Sequence, residues 1–304
     1  MGQSLTKKNI DVIGVPSDLG ANIRGANMGP AAIRIAKLKE KIELLGHKVT
    51  DQGDINVPIR EQISQSDQDQ KYLDSITEGC KSLKETVYES YKKGNFPLVI
   101  GGDHSYAVGT LAAAQKFCDE NNKKLGVVWI DAHADINTPD SSYSKNIHGM
   151  PVAVCLGNGH QDLVNIFEKQ MKNSQFSLIG LRDIDGPEKE ELKKSGVHYY
   201  TMRKLDELSM FEVMKKTLND LDADVYHLSF DLDGIDPMYA PGVSTAVTGG
   251  LSYREAHLAL EMLADTDKLI SAEFVELNPK EDESHKTARL TVELIQSTLG
   301  KSIV

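Results

Sequence analysis

Several classes of protein are excluded by what this chain has little of. Its three cysteines, Cys80, Cys118 and Cys155, are odd in number among 304 residues and lack metal-type spacing. They make no disulfide framework, and a reducing cytoplasm is the simplest home. No stretch approaches the ~18 consecutive apolar residues of a membrane span, and the N-terminus lacks the apolar core of a signal peptide. A soluble protein with no membrane partner is expected. Positive charge is also scarce: 34 Lys and Arg stand against 45 Asp and Glu, a formal net charge of -11. A nucleic-acid or anionic-membrane surface would need clustered Lys and Arg, so no nucleic-acid partner is expected. Tandem repeats and low-complexity tracts are missing too, and the one linker-like stretch, Gln62 to Asp69, reads as a surface loop. The opening MGQSLT fits a myristoylation pattern at Gly2, but so short a motif recurs by chance and only Lys7 and Lys8 follow as a basic supplement.

What is present is an ordinary globular composition, 40% hydrophobic and 26% charged, with apolar segments spread evenly from end to end. Short β-branched or apolar runs, each followed by a polar or glycine turn, recur at 10–15, 96–102, 126–133, 176–183, 225–231 and 269–276. These read as strands, and weaker runs at Lys48 to Thr50 and Val197 to Thr201 bring the count to eight. Helical stretches lie between them. The clearest is Pro30 to Leu45: proline suits a first turn, Ile35, Leu38, Ile42 and Leu45 share a face, and Gly46 ends it. Alternating strands and helices predict an α/β fold, a single three-layer α/β/α domain over residues 1–304 with a mostly parallel, about eight-stranded sheet.

In an open parallel sheet, ligands bind beyond the carboxyl ends of strands. Four predicted strands end there in unusual chemistry. FPLVIGG runs into Asp103 and His104, GVVWI into Asp131, His133 and Asp135, VYHLSF into Asp231 and Asp233, and LISAEFV into Glu276. Extended chain places residues i, i+2 and i+4 on one face, so each cluster is expected to point one way. Carboxylates with two imidazoles suit Mn(II) or a similar divalent ion better than Zn, which more often takes cysteine or several histidines. With His104 the set offers six ligands, too many for one partly open ion, and two ions about 3.5–4 Å apart are the natural inference. Two divalent cations would bring the formal charge of -11 to -7. Asp103 keeps a helix-capping reading. His47, His160, His198, His227 and His257 are expected to be structural or exposed.

The segments GGDHS (101–105), DAHADIN (131–137), HGMP (148–151), SFDLDGIDP (229–237) and VELNP (275–279) resemble the signatures of the arginase and agmatinase superfamily, in the family's order. The resemblance implies two Mn(II) ions, one on His104, Asp131, Asp135 and Asp231 and the other on Asp131, His133, Asp231 and Asp233. Two cations holding one water lower its pKa and supply a hydroxide at neutral pH. Glu276 resembles the carboxylate that pairs with a substrate guanidinium. Asp135 is implied to deliver a proton to the leaving amine, and His148, as an imidazole titrating near neutrality, to shuttle protons to solvent.

The metal ligands cannot distinguish arginine from agmatine, guanidinobutyrate, formiminoglutamate or proclavaminate, which relatives cleave. What differs is the amino-acid head group. The loop from Asp131 to Pro151 resembles the arginase form, in which Asn137 and Ser144 receive the α-carboxylate. GLRDIDGPE (180–188) resembles the segment whose Asp185 and Glu188 receive the α-ammonium, and Thr245 matches a threonine near the guanidinium. The resemblance thus implies hydrolysis of L-arginine to L-ornithine and urea, by a trimer or a pair of stacked trimers. Agmatinase or another guanidino-substrate ureohydrolase activity is the alternative. A silent metal-binding relative is disfavoured because every ligand, Glu276 and His148 are retained, and a deacetylase-type metallohydrolase because the ligands suit two ions better than one. Three positions depart from the usual pattern: Ser244 for a glycine that supports an unusual backbone angle, Ala246 for a proline that stiffens the turn, and His285 for an asparagine.

Overall fold

Four strands of this protein, FPLVI, LGVVWI, FSLIGL and VYHLSFD, are buried along their whole length. Such runs belong inside a parallel sheet covered on both faces. The computed structural model describes residues 6–69 and 71–301; the Gly2 pattern lies outside them. Eight strands form one sheet: β1 (Asn9–Gly14), β2 (Lys48–Asp54), β3 (Phe96–Ile100), β4 (Leu125–Ile130), β5 (Phe176–Leu181), β6 (His198–Thr201), β7 (Val225–Asp231) and β8 (Leu269–Val275). Their order is β2-β1-β3-β8-β7-β4-β5-β6, and every neighbouring pair is parallel. The two edge strands are the most exposed, with Val49 the one buried residue of β2.

Side-chain alternation along the strands divides the core into two layers. Val128, Ile130, Leu228, Phe230, Ala272 and Phe274 face one side. There they meet Met210, Val213, Leu260, Leu263, Leu294 and Ile295 of the helices Met202–Leu221, Tyr253–Ala264 and Lys286–Thr298. Val99, Val127, Trp129 and Leu178 face the other, with Leu83, Val87 and Leu111 of the helices Leu73–Lys92 and Ala107–Glu120. The result is the expected three-layer α/β/α architecture. Each large side chain so buried contributes roughly 1.5–3 kcal/mol.

Three local expectations change. The stretch Pro30 to Leu45 is not one helix but two, Gly29–Ile35 and Leu38–Glu43, broken where Lys37 takes a left-handed φ of 68°. The reason is the core itself. Ile33 and Leu38 are both buried, yet five residues on an unbroken helix would set them about 140° apart. The break brings both inward and leaves Ile35 73% exposed. Second, the stretch from Gln62 to Asp69 is not a plain loop, since Gln65–Asp69 is a short helix. Its buried Asp67 accepts from Asp74 N at 2.9 Å and Ser75 N at 3.2 Å, so it satisfies free amides of the long helix that follows. Third, residues 131–135 are not extended: β4 ends at Ile130 and Asp135 has φ 49°. The side chains of this cluster meet because the chain turns there, not through strand periodicity.

Candidate metal centre and adjoining cavity

Strands β3, β8, β7 and β4 are consecutive in the sheet, so the four polar strand ends lie side by side. After β3 the chain turns through Gly101 (φ 73°) and Gly102 (φ 79°). A Cβ on Gly101 would lie 2.3 Å from Pro30 Cδ, and one on Gly102 2.8 Å from the Val15 carbonyl, so no side chain is tolerated at either. Asp103 then caps the turn: Oδ1 accepts from Ser105 N at 3.2 Å and Oδ2 from Gly20 N at 3.1 Å. This matches its predicted capping role. His104 follows, buried and stacked on Trp129 with ring centroids 4.1 Å apart. Trp129 Nε1 donates to Asp131 Oδ2 at 2.9 Å, and Asp131 Oδ1 accepts from His133 N at 2.7 Å. At the end of β7, Asp231 Oδ1 accepts from Asp233 N at 2.8 Å, and Asp233 Oδ1 accepts from Ala132 N at 3.2 Å, tying the two loops together.

His104 Nδ1 is surrounded by acid. Asp131 Oδ2, Asp135 Oδ2 and Asp231 Oδ2 lie 3.2, 3.1 and 3.1 Å away, yet the buried nitrogen has no hydrogen-bond partner. His133 Nδ1 lies 3.4 Å from Asp131 Oδ1 and 3.2 Å from Asp233 Oδ2. Donor atoms of His104, Asp131 and Asp135 form one compact group, and those of Asp131, His133 and Asp233 another, with Asp131 common to both. Without a cation the cluster is electrostatically frustrated. Burial, aided by Asp131, pushes the Asp135 carboxyl up to about 6, and burial with Asp233 and Asp131 raises Asp231 well above the usual range. Burial opposes charge on His104 as well, but Asp131, Asp135 and Asp231 outweigh it and raise its pKa strongly. An unpartnered imidazole nitrogen among converging buried carboxylates is what a divalent ion requires, and the residues fit one.

A cavity of about 180 Å³ opens onto this cluster. His133, Asp135, Asp231 and Asp233 line one part of it, and His148, Asn137, Asp185, Glu188 and Thr245, with Gly149 and Asp183, line the rest. Asn137 Nδ2 donates to Asp185 Oδ2 at 3.3 Å, and Asp185 Oδ1 accepts from Glu188 N at 2.8 Å as the cap of the helix Gly186–Ser195. Glu188 is only 4% exposed, and burial with Asp135 nearby pushes its carboxyl up to about 8. Thr245 Oγ1 donates to Asp233 Oδ2 at 2.8 Å. Ser144 is not brought into the lining: it is exposed on the 137–147 loop, where its Oγ accepts from Asn146 N at 3.2 Å.

Glu276 stands behind the lining, with φ 63°. Strained backbone of this kind persists where surrounding structure holds it, often at functional sites. Its Oε1 accepts from His104 N and His148 Nδ1, both at 3.0 Å, while the buried Oε2 has no partner. Burial lowers the pKa of His148, but Glu276 outweighs this and raises it to about 9.

Of the departures, Ser244 and Ala246 carry no left-handed backbone, and Ser244 Oγ accepts from Asn278 Nδ2 at 3.1 Å. The glycine-type angle expected at 244 is not used. His285 does adopt φ 57°.

Arg182 was not singled out in the sequence. Its guanidinium donates to the carbonyls of Asp233 at 2.6 Å, Gly234 at 3.2 Å and Val247 at 2.7 Å, so it holds the loop carrying Asp233 and Thr245. An arginine directly after the buried strand β5 was the available signal.

Comparison with known proteins gives the family. The sequence model of the Arginase family matches residues 8–300. The arginase of Bacillus subtilis (strain 168) is 48% identical over 300 residues, covering 98% of this chain and 99% of that protein. The arginase of Bacillus caldovelox is 45% identical over 302 residues, 98% and 100% of the two chains. Its native crystal structure superimposes with a TM-score of 0.92 at 45% identity, over 98% of this chain and 100% of that one. The chain belongs to the arginase family.

Proposed function

We propose that this protein hydrolyses L-arginine to L-ornithine and urea with two Mn(II) ions. The observation that carries the reading is one cavity joining the Asp and His cluster to Asn137, Asp185 and the buried Glu188. Its two regions suit the two ends of arginine: a buried carboxylate without a cationic partner favours an ammonium, and the acidic cluster lies where the guanidinium would enter. His104, Asp131, Asp135 and Asp231 would hold one ion, and Asp131, His133, Asp231 and Asp233 the other. When bound, such a pair lowers the pKa of a shared water and supplies the nucleophile at neutral pH.

The protein's own groups do the rest. Oε2 of Glu276 is free to accept from the guanidinium, and Oε1, held by His104 N and His148, fixes the carboxylate's orientation. Thr245 keeps Asp233 in place. Asp135 holds the proton the leaving amine requires, and His148 exchanges protons with solvent at the cavity wall. Asp185 and Glu188 receive the α-ammonium, and Asn137 the α-carboxylate. Ser144 joins Asn137 only if its loop moves inward. Residues 1–304 are taken as one catalytic domain, which the match over 8–300 supports. A trimer or hexamer in the cytoplasm is part of the proposal. Among the described residues no helix is long and apolar enough to cross a membrane, and all three cysteines are free and buried.

The test is urea release from L-arginine and agmatine, side by side, after loading with Mn(II). Preference for L-arginine is expected. Equal or better cleavage of agmatine would overturn the substrate, and release from neither would overturn the activity.

A further inference from the structure

Adjacent central strands β7 and β8 carry polar side chains where a parallel sheet is normally apolar. His227 pairs in register with Ser271, and Ser229 with Glu273. All four are buried, at 0 or 1% exposure, where a polar group left without a partner is costly. Hydrogen bonds link Glu273 through Ser229 to the ring of His104, and Tyr91 through Ser271 to His227. Ser229 Oγ donates to Glu273 Oε1 at 2.7 Å and lies 2.8 Å from His104 Nε2. On the other side Tyr91 Oη donates to Ser271 Oγ at 2.5 Å, Ser271 Oγ lies 2.7 Å from His227 Nδ1, and His227 Nε2 faces Glu273 Oε1 at 3.5 Å.

The direction of each bond follows from Glu273. A carboxylate accepts, and Oε1 of this one accepts from Ser229 Oγ at 2.7 Å. The single hydroxyl proton of Ser229 is therefore committed to Glu273, and Ser229 Oγ has only lone pairs to offer His104. His104 Nε2 must carry a proton. In the neutral ring that leaves Nδ1 as a lone pair, and Nδ1 is the atom that faces Asp131, Asp135 and Asp231. From Tyr91 the donors run the other way, through Ser271 to His227 Nδ1, and His227 Nε2 lies near the same carboxylate without a hydrogen bond to it.

We propose that Glu273, acting through Ser229, is a positioning residue that sets the His104 tautomer and so prepares its Nδ1 to bind a divalent cation. The inference rests on the metal centre proposed above. Glu273 touches neither substrate nor metal, so its effect reaches His104 only through the serine. Groups that orient a ligating histidine typically govern metal affinity by 10–100-fold.

The test is a Mn(II) titration of the metal-free protein, followed by electron paramagnetic resonance, for wild type, Glu273→Gln, Ser229→Ala and the double variant. The side-chain amide introduced by Glu273→Gln can donate to Ser229, which reverses the relay and turns a proton on His104 toward the acids. One of two Mn(II) sites should weaken by about 10–100-fold, the other should change less, and the double variant should be no worse than the poorer single one. Unchanged binding in the variants, or equal loss at both sites, overturns the relay. Absence of Mn(II) binding in wild type overturns the metal centre instead. Where a variant does not fold, metal-free wild type decides by nitrogen-proton correlation at a pH where the ring is neutral: the His104 proton belongs on Nε2, and finding it on Nδ1 refutes the proposal.

Discussion

His148 Nδ1 lies 3.0 Å from Glu276 Oε1, and that pairing leaves Oε2 as the one buried carboxylate oxygen of Glu276 without a partner. The histidine therefore touches the carboxylate assigned to the guanidinium while reaching the cavity wall itself. His148→Ala should lower kcat by roughly 10²-fold, within the range for lost acid-base catalysis. Metal content should stay largely unchanged, KM should rise only modestly because His104 N still holds Glu276 Oε1, and added imidazole should restore part of the rate. Loss of both ions would place His148 in the metal shell.

The same pair makes metal-free stability depend on pH. The folded pKa of His148, about 9, exceeds its ordinary 6.5 because Glu276 outweighs burial. A raised pKa contributes stability that is fully present below about 6.5 and is lost as pH rises through about 9. The difference in melting temperature between metal-free wild type and His148→Ala should be widest near pH 6 and narrow toward pH 9–10. A gap that widens with pH would contradict the pairing.

Asp185 has two duties that can be separated. It caps the helix Gly186–Ser195 and, with Glu188, receives the substrate ammonium in the proposed mode. Asp185→Asn keeps a good cap, whereas Asp185→Ala should cost about 1 kcal/mol of stability. Both should raise KM for arginine and reduce discrimination against agmatine, with metal retained. Unaltered KM in both variants would remove Asp185 from the binding site.

Cation binding should stabilise the fold, because Asp131, Asp135, Asp231 and Asp233 crowd one site. Free Mn(II) at 100 times its dissociation constant adds about 2.7 kcal/mol by linkage. Calorimetry of stripped protein should show an upward shift in melting temperature on adding Mn(II). A fixed melting temperature would sink the clustered-carboxylate centre.

His285 begins the helix Lys286–Thr298 in left-handed backbone and makes no side-chain capping bond. Asparagine tolerates that conformation better than histidine does when its short amide bonds locally. His285→Asn should raise stability by up to about 1 kcal/mol, read as a higher urea midpoint at unchanged slope. A lower midpoint would mean that His285 makes contacts worth more than the strain.

Sequence alone determined the eight strands, their parallel arrangement and the ligand types at four strand ends, because these depend on local composition and periodicity. It also held an unused clue: His227, Ser229 and Asp231, like Ser271 and Glu273, recur at period two inside apolar strands. Polar residues on one face of a buried strand must find partners there. Which partners they find was decided by tertiary structure, since strand order sets β3, β8, β7 and β4 side by side although β8 is last in the chain. The same holds for the break at Lys37, the turn through Asp135 and the bond between His148 and Glu276. Each depends on packing between segments distant in sequence, and no local pattern encodes where such segments meet.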